Sequence, residues 1–340
     1  MAIFGKERLG IDLGTANTVI SVANKGIALR EPSLLAVEKQ TQKVVAFGRE
    51  ASRMEGRTSD NYELIHPLQH GAIAHFSYTK QMLAHFMSAS LKYSFSKPEV
   101  VLTAPCDLSK VERKAIIDSI RDLGINRAMI VEAPYAVALA AGLEVEQARG
   151  KMVVDIGEGT TDIAVISYGE TVESLTLKQA SGSMNDKIAQ AVRNEHQLLI
   201  GDYTAETLKI VLGNALYETD DQDHLLVRGR SVAQGVPSQA KVSAILVAEA
   251  INEVIGQILL GIRQVLEQTP VELSADLLET GILLSGGGCL LKRLATRIER
   301  EIGIPVRSYD YPFDAAAIGA GKLFDQLNYQ SKQIERQARL

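Results

Sequence analysis

Two stretches of the chain share one pattern of apolar and polar positions: 8–22, RLGIDLGTANTVISV, and 151–166, KMVVDIGEGTTDIAVI. In each, β-branched and aliphatic residues alternate or run continuously on both sides of a turn that carries an aspartate and glycine, the pattern of buried strands. The two aspartates, Asp12 and Asp155, are 143 positions apart. That interval is domain-sized and far longer than a solenoid repeat, so the pattern predicts two copies of one fold.

Between the copies, helical periods and short strands alternate, as in α/β architectures. In 109–123, Val111, Ala115, Ile116, Ile120 and Leu123 recur at helical spacing, and Gly124 stands where a C-terminal cap belongs. The alanine-rich run 133–142 reads as a close-packed helix with Pro134 at its first position, where the missing N–H leaves no partner wanting. From Val242 to Leu266, apolar residues keep the 3.6-residue period and predict a long helix with one broad core face. Residues 218–230, ETDDQDHLLVRGR, read as a solvated loop leading into a strand.

Composition narrows the classes. At 340 residues the chain suits two domains with sizeable cores. Its net charge of −5 supplies no basic field for nucleic acid, so no nucleic-acid partner is expected. Cys106 and Cys289 lack metal-ligand spacing and read as plain thiols. No apolar run approaches the roughly 20 residues of a membrane span, and the N-terminus lacks a signal-peptide pattern. The expected location is cytoplasmic, with any membrane contact peripheral.

The turns carry the chemistry. Glycine lets backbone amides approach a phosphate, Thr15, Asn17 and Thr18 add donors, and Asp12 suits a hydrated Mg²⁺ or a water. A hairpin tipped by Gly and Asp is common without any ligand. Two equivalent hairpins facing each other across a cleft are able to grip one polyphosphate, and the duplication favours that reading. A third glycine turn, Ser285-Gly286-Gly287-Gly288, follows a buried strand, with 289–292 opening a helix; it leaves room for a flat ring or a phosphate, or is simply tight. The small residues of 314–321 suit close helix packing beside the first hairpin rather than ligand contact.

Five segments in this order, 12–18, 131–142, 155–162, 281–291 and 311–321, resemble the phosphate, connecting and adenosine segments of the actin, sugar-kinase and heat-shock-chaperone ATPases. Within them GIDLGTANT, KGIALREPS, HPLQHGAIA, IGDYTAETLKI, LLSGGGCLL and AIGAGK resemble the MreB family of bacterial actins. The resemblance implies an actin-like α/β fold of two duplicated domains with ribonuclease-H-like cores, a small subdomain on each and a nucleotide cleft between. The first domain would span 1–145, with its small subdomain at about 33–66, and be completed by 312–340. The second would span 146–311, with its small subdomain at about 181–240.

The same resemblance implies ATP or ADP with Mg²⁺. It assigns cofactor contacts to Asp12, Gly14, Thr15, Ala16 and Asn17, to Gly157, Glu158, Gly159, Thr160 and Thr161, and to Gly286, Gly287, Gly288 and Leu290. Glu206 and Lys209, three apart on one helical face, would meet the adenosine moiety. Asp12 and Asp155 would hold the metal, and Asp155, Glu158 and Glu132 are the candidate catalytic carboxylates. Two departures bear on hydrolysis. The family's Glu-Glu-Pro, whose second Glu positions the attacking water, is here Glu132-Ala133-Pro134, and its Gly-Gly-Gly is Gly157-Glu158-Gly159. Glu158 would touch Mg²⁺ or water, or point to solvent. Losing a water-positioning group removes roughly 10²–10⁴ in rate, so at most a slow ATPase is expected.

For partners, the resemblance implies a homopolymeric filament of paired protofilaments, membrane lipid and the cell-wall elongation machinery. Membrane contact would use Tyr93 and Phe95, beside Lys92 and Lys97, and the apolar Met1, Ile3 and Phe4. Each patch is weak alone, and a filament multiplies it. The implied function is a nucleotide-controlled filament at the inner face of the membrane that determines rod shape by guiding wall synthesis. A sugar- or acetate-type kinase on the same fold is the alternative, disfavoured by Ala133 and by the absence of a catalytic insertion. A chaperone ATPase would need a separate peptide-binding domain.

Overall fold

The computed structural model describes residues 6–91, 97–217 and 222–337, with side chains as far as 326. Its internal contacts divide the chain into two units, 1–147 with 168–171 and 313–340, and 148–167 with 172–312.

The first unit is built on a five-stranded sheet. Arg8–Leu13 pairs antiparallel with Asn17–Val22, which pairs antiparallel with Gly26–Pro32; on its other side it runs parallel to Glu99–Ala104, itself parallel to Ala128–Glu132. The second unit repeats this order. Lys151–Ile156 lies between the antiparallel Thr161–Ser167 and the parallel Ile282–Ser285, with Glu170–Leu177 and Val306–Ser308 at the two edges. The repeat extends to register. Asp12 faces Val19 one step before the pair Leu13–Thr18, and Asp155 faces Asp162 one step before Ile156–Thr161.

Strands covered on both faces need apolar residues throughout rather than alternation. Thr161–Ser167 is buried at every position, and Arg8–Leu13 nearly so. Helices supply the cover. Lys110–Arg121 starts at a capping box in which Ser109 and Glu112 satisfy each other's backbone N–H groups. Gly124 follows its end at a positive φ of 78°. Ile116 and Ile120 face the core, whereas Val111, whose period placed it with them, is exposed. The helix Ala133–Ala140 begins one residue before its proline, so Pro134 is the second helical residue rather than the first; an N–H at that position would also lack an intrahelical partner, so its absence is tolerated there too.

The C-terminal helix Ala315–Gln337 packs on the first unit's sheet and on Ala133–Ala140. Its approach demands small residues. A Cβ on Gly10 would lie 2.2 Å from the Ala317 carbonyl oxygen, and one on Gly319 only 1.7 Å from that of Ala136. Ser21 Oγ donates to the Ala317 carbonyl at 2.6 Å and ties helix to strand.

In the second unit the helix Ala244–Gln268 is long and apolar enough, by length and composition, to cross a membrane, which corrects the sequence expectation that no segment reaches that size. Ile251, Ile255, Ile258 and Ile262 nevertheless lie buried in that unit's core cluster with Ile163 and Val165 of the sheet. Each such side chain contributes about 1.5–3 kcal/mol by leaving water. Each unit also carries a three-stranded sheet. Leu35–Glu38 lies between Lys43–Phe47 and Tyr62–Ile65 in one, and His224–Ser231 between Leu198–Leu199 and Pro237–Ser243 in the other.

Candidate functional site

In the first unit, Asp12 is half-buried at the end of its strand, and its Oδ1 accepts a 2.6 Å hydrogen bond from Thr103 Oγ1. The turn beyond it is held by one residue that sequence reasoning passed over. Ser33 donates its hydroxyl to the Gly14 carbonyl at 2.6 Å and its N–H to the Ala16 carbonyl at 2.8 Å. Gly14 is required, because a Cβ there would sit 2.7 Å from the Asn17 carbonyl oxygen. Thr15 Oγ1 accepts from the Gly71 N–H at 3.1 Å, and Asn17 is exposed. Thr18 is fully buried against Ser33 Oγ, 2.9 Å away, so its hydroxyl is not the ligand donor the sequence suggested.

The second turn is anchored differently. Gly157 and Glu158 turn their carbonyls to the start of the helix Ser181–His196, accepting from the Ser181 and Gly182 N–H groups at 3.1 and 2.9 Å. These helical donors would otherwise lack partners. Glu158 is exposed, and its Oε1 lies where a side chain on residue 182 would be: a Cβ on Gly182 would come within 2.4 Å. Thr160 donates to the buried Asp162 carboxylate at 3.0 Å, and Thr176 does so at 2.5 Å. Thr161 is fully buried, donating to the Gln179 carbonyl at 2.7 Å, which removes its side chain from the expected ligand set. Thr18 and Thr161 occupy equivalent registers and fail for the same reason: the strand's alternation turns both inward.

Asp155 is half-buried, like Asp12. Nearby Cys289 is buried, and its thiol is pushed up to about 12, first by loss of solvent and then by the Asp155 carboxylate, with a hydrogen bond to Ser308 acting the other way. Both carboxylates are hard oxygen donors of the kind Mg²⁺ accepts. The described residues hold no cluster of three His, Cys, Asp or Glu ligands. Each aspartate by itself suits Mg²⁺, which commonly takes one or two carboxylates and completes its shell with water and ligand phosphates.

Glu206 and Lys209 lie on the helix Asp202–Leu212. Lys209 is buried, donating to Glu206 Oε2 at 2.7 Å and to the Ser181 carbonyl at 3.0 Å. Asn185, which sequence reasoning missed, donates to the same Glu206 oxygen at 2.6 Å. Ser181 thus joins the second turn to Lys209 through one residue. The third glycine turn proves tight for steric reasons: Cβ atoms on Gly286 and Gly288 would meet Ile156 at 2.2 and 2.3 Å. No α-helix opens at Cys289. Gly287–Leu290 is one turn of 3₁₀ helix, and the α-helix begins at Leu294. Leu290 is exposed beside it.

Ala133 is buried as the first residue of its helix, and the adjacent Glu132 carboxylate accepts from Thr171 Oγ1 at 2.6 Å. Met1, Ile3, Phe4, Tyr93 and Phe95 lie outside the described residues.

Comparison with known proteins agrees with this architecture. A family model described as MreB/Mbl protein matches residues 6–332. The cell shape-determining protein Mbl of Bacillus subtilis is 41% identical over 326 residues, covering 96% of this chain and 98% of that protein. The cell shape-determining protein MreB of Escherichia coli is 39% identical, covering 94% of each. The crystal structure of MreB5 of Spiroplasma citri bound to ADP superposes with a TM-score of 0.90 at 29% identity, covering 96% of this chain and 98% of that one. A second structure of that protein, bound to AMPPNP, gives 0.88.

Proposed function

The chain belongs to the MreB/Mbl family, and from that premise we propose that it is a nucleotide-binding bacterial cytoskeletal protein that self-assembles and determines cell shape. The observation that carries this is a family match over 6–332, joined to an actin-like fold in which both glycine turns are held in one register. The nucleotide reading is supported by ADP and AMPPNP in the MreB5 structures.

In this reading ATP or ADP takes backbone donors from 14–17 and 157–160, and its adenosine moiety meets Glu206, Lys209, Leu290 and the backbone of 286–288. Asp12 and Asp155 would hold Mg²⁺, which would neutralise phosphate charge. The chain's own contribution is fixed geometry: Ser33 holds the first turn, and the start of the helix Ser181–His196 holds the second. Donors pre-set in this way bind an anion without reorganising.

Hydrolysis is slow. A methyl group stands at Ala133 and Glu132 is engaged by Thr171, so the family's water-positioning carboxylate has no replacement there. The protein works in the cytoplasm as a filament of paired protofilaments, peripheral to the membrane through Met1, Ile3, Phe4, Tyr93 and Phe95, and guides the wall-elongation machinery. Many weak membrane contacts along one polymer give firm attachment.

Sedimentation with Mg²⁺-ATP and anionic lipid vesicles tests the reading. A pellet that needs nucleotide and carries the vesicles is expected. Protein that remains in the supernatant at all nucleotide concentrations, or ADP release stimulated by a small sugar, would favour a kinase instead.

A further inference from the structure

Glu158 meets the start of the helix Ser181–His196 twice. Its carbonyl accepts from the Gly182 N–H at 2.9 Å, and its side chain folds over the same residue, since a Cβ on Gly182 would lie 2.4 Å from Oε1 and 3.0 Å from Cδ. Only a residue without a side chain leaves that space, so Gly182 is what lets the carboxylate lie on the helix start. Glu158 is also exposed. It therefore brings a negative charge to the surface of the turn rather than burying it.

The start of a helix carries partial positive charge and draws an anion. Here the chain supplies that anion itself. Glu158 cancels part of the field that would assist a phosphate, and its charge stands in the turn whose backbone N–H groups, 157–160, are the proposed phosphate donors. Asp155 adds a second carboxylate in the preceding strand. Lys209, which donates to the Ser181 carbonyl, is already paired with Glu206 at 2.7 Å. A bare polyphosphate arriving at this turn meets like charge at short range, whereas one whose charge is reduced by a divalent cation meets much less.

We propose that Glu158 is a specificity-determining residue of the nucleotide site: its carboxylate disfavours metal-free ADP and ATP and so widens the preference for their Mg²⁺ complexes. This rests on the nucleotide reading above. Glu158 acts through its charge and not as a metal ligand, because its carboxylate is laid on residue 182. Where the family resemblance leads to a glycine, the glutamate adds selectivity without removing a backbone donor.

The test is calorimetric titration of the full chain with ADP, once with Mg²⁺ and once with a chelator. The unaltered protein binds Mg²⁺-ADP at least about 100-fold tighter than metal-free ADP. Glu158→Gln keeps the length of the side chain and removes only its charge. In that variant metal-free ADP binds about tenfold tighter than in the unaltered protein, Mg²⁺-ADP shifts by about threefold or less, and the ratio between them narrows accordingly. Raising the salt concentration shrinks the gain, as screening of an exposed charge requires. Melting temperatures without nucleotide exclude a general loss of structure, and Glu158→Gly replaces Glu158→Gln if the latter does not fold. Unchanged affinity for metal-free ADP in the variant, or a gain that salt does not alter, overturns the proposal. So does a loss of about tenfold or more for Mg²⁺-ADP, which would make Glu158 a metal ligand. An unaltered protein that binds ADP equally well with and without Mg²⁺ overturns it while leaving nucleotide binding intact. An unaltered protein that binds neither form overturns the nucleotide reading, and the proposal with it.

Discussion

The carboxylate of Glu132 accepts a 2.6 Å hydrogen bond from the hydroxyl of Thr171. Glu132 ends the strand Ala128–Glu132 and precedes the helix that begins at Ala133, so the bond fixes its side chain where the chain turns from strand to helix. The carboxylate that remains in this segment is thereby held to a structural partner, and its neighbour offers only a methyl group.

Ala133→Glu is expected to raise single-turnover ATP hydrolysis by about 10² or more, since a positioned acid–base group is worth roughly 10²–10⁴. Measured on preformed Mg²⁺-ATP complex, an unchanged rate in the variant would show that the lost carboxylate is not what limits turnover.

Thr171→Val removes the donor and leaves Glu132 half-buried without it. Stability should fall by about 1–2 kcal/mol, the usual consequence of orphaning one side of a hydrogen bond to a charged group. Hydrolysis should not change. Urea unfolding followed by circular dichroism checks the first outcome, and a phosphate-release assay checks the second.

Gly319→Ala forces a methyl group to within 1.7 Å of the Ala136 carbonyl oxygen, a backbone atom with no free rotation. The C-terminal helix must shift away from Ala133–Ala140, at a cost of about 1–3 kcal/mol or more. Gly142→Ala is a control with open space around its Cβ but a φ of 69°, so it tests backbone strain without a clash. Thermal unfolding should rank Gly319→Ala as the more damaging.

Cys289 makes a pH prediction. Its thiol is raised from 9.0 to about 12 in the folded protein, chiefly by burial and secondarily by Asp155. Below pH 9 folded and unfolded chains both keep this proton, and the stabilisation is fully present. Between 9 and 12 the unfolded chain loses the proton first, so this contribution declines as pH rises, at up to about 1.4 kcal/mol per pH unit. Between pH 8 and 10, the unfolding free energy should fall by about 1 kcal/mol more in the unaltered protein than in Cys289→Ala. Iodoacetamide at pH 8 should modify Cys289 only after denaturant is added.

Much of the fold was legible because its strongest signals are local. The strand-turn-strand pattern around Asp12 and Asp155 is written in consecutive residues, and its recurrence announced two sheets of one order. The cap at Gly124, the small residues of the C-terminal helix and the core stripe of Ala244–Gln268 follow from local spacing. Glu206 and Lys209 were singled out by the resemblance, and their three-residue interval on one helix allows the ion pair the structure shows.

Other features were settled by residues distant in sequence. Nothing local says that Thr18 meets Ser33, that Thr161 meets Gln179, or that Asn185 meets Glu206, because these partners are 15, 18 and 21 residues apart and come together only when the sheets and helices close. A strand's alternation tells which residues share a face, but the packed neighbour decides whether that face looks into the core or toward a ligand. The sequence by itself determined the duplicated strands and their glycine turns, and put an alanine at 133. Tertiary structure alone decided which hydroxyls in those turns are buried and which groups hold Glu206, because hydrogen bonds depend on direction and distance, and these exist only after the chain has packed.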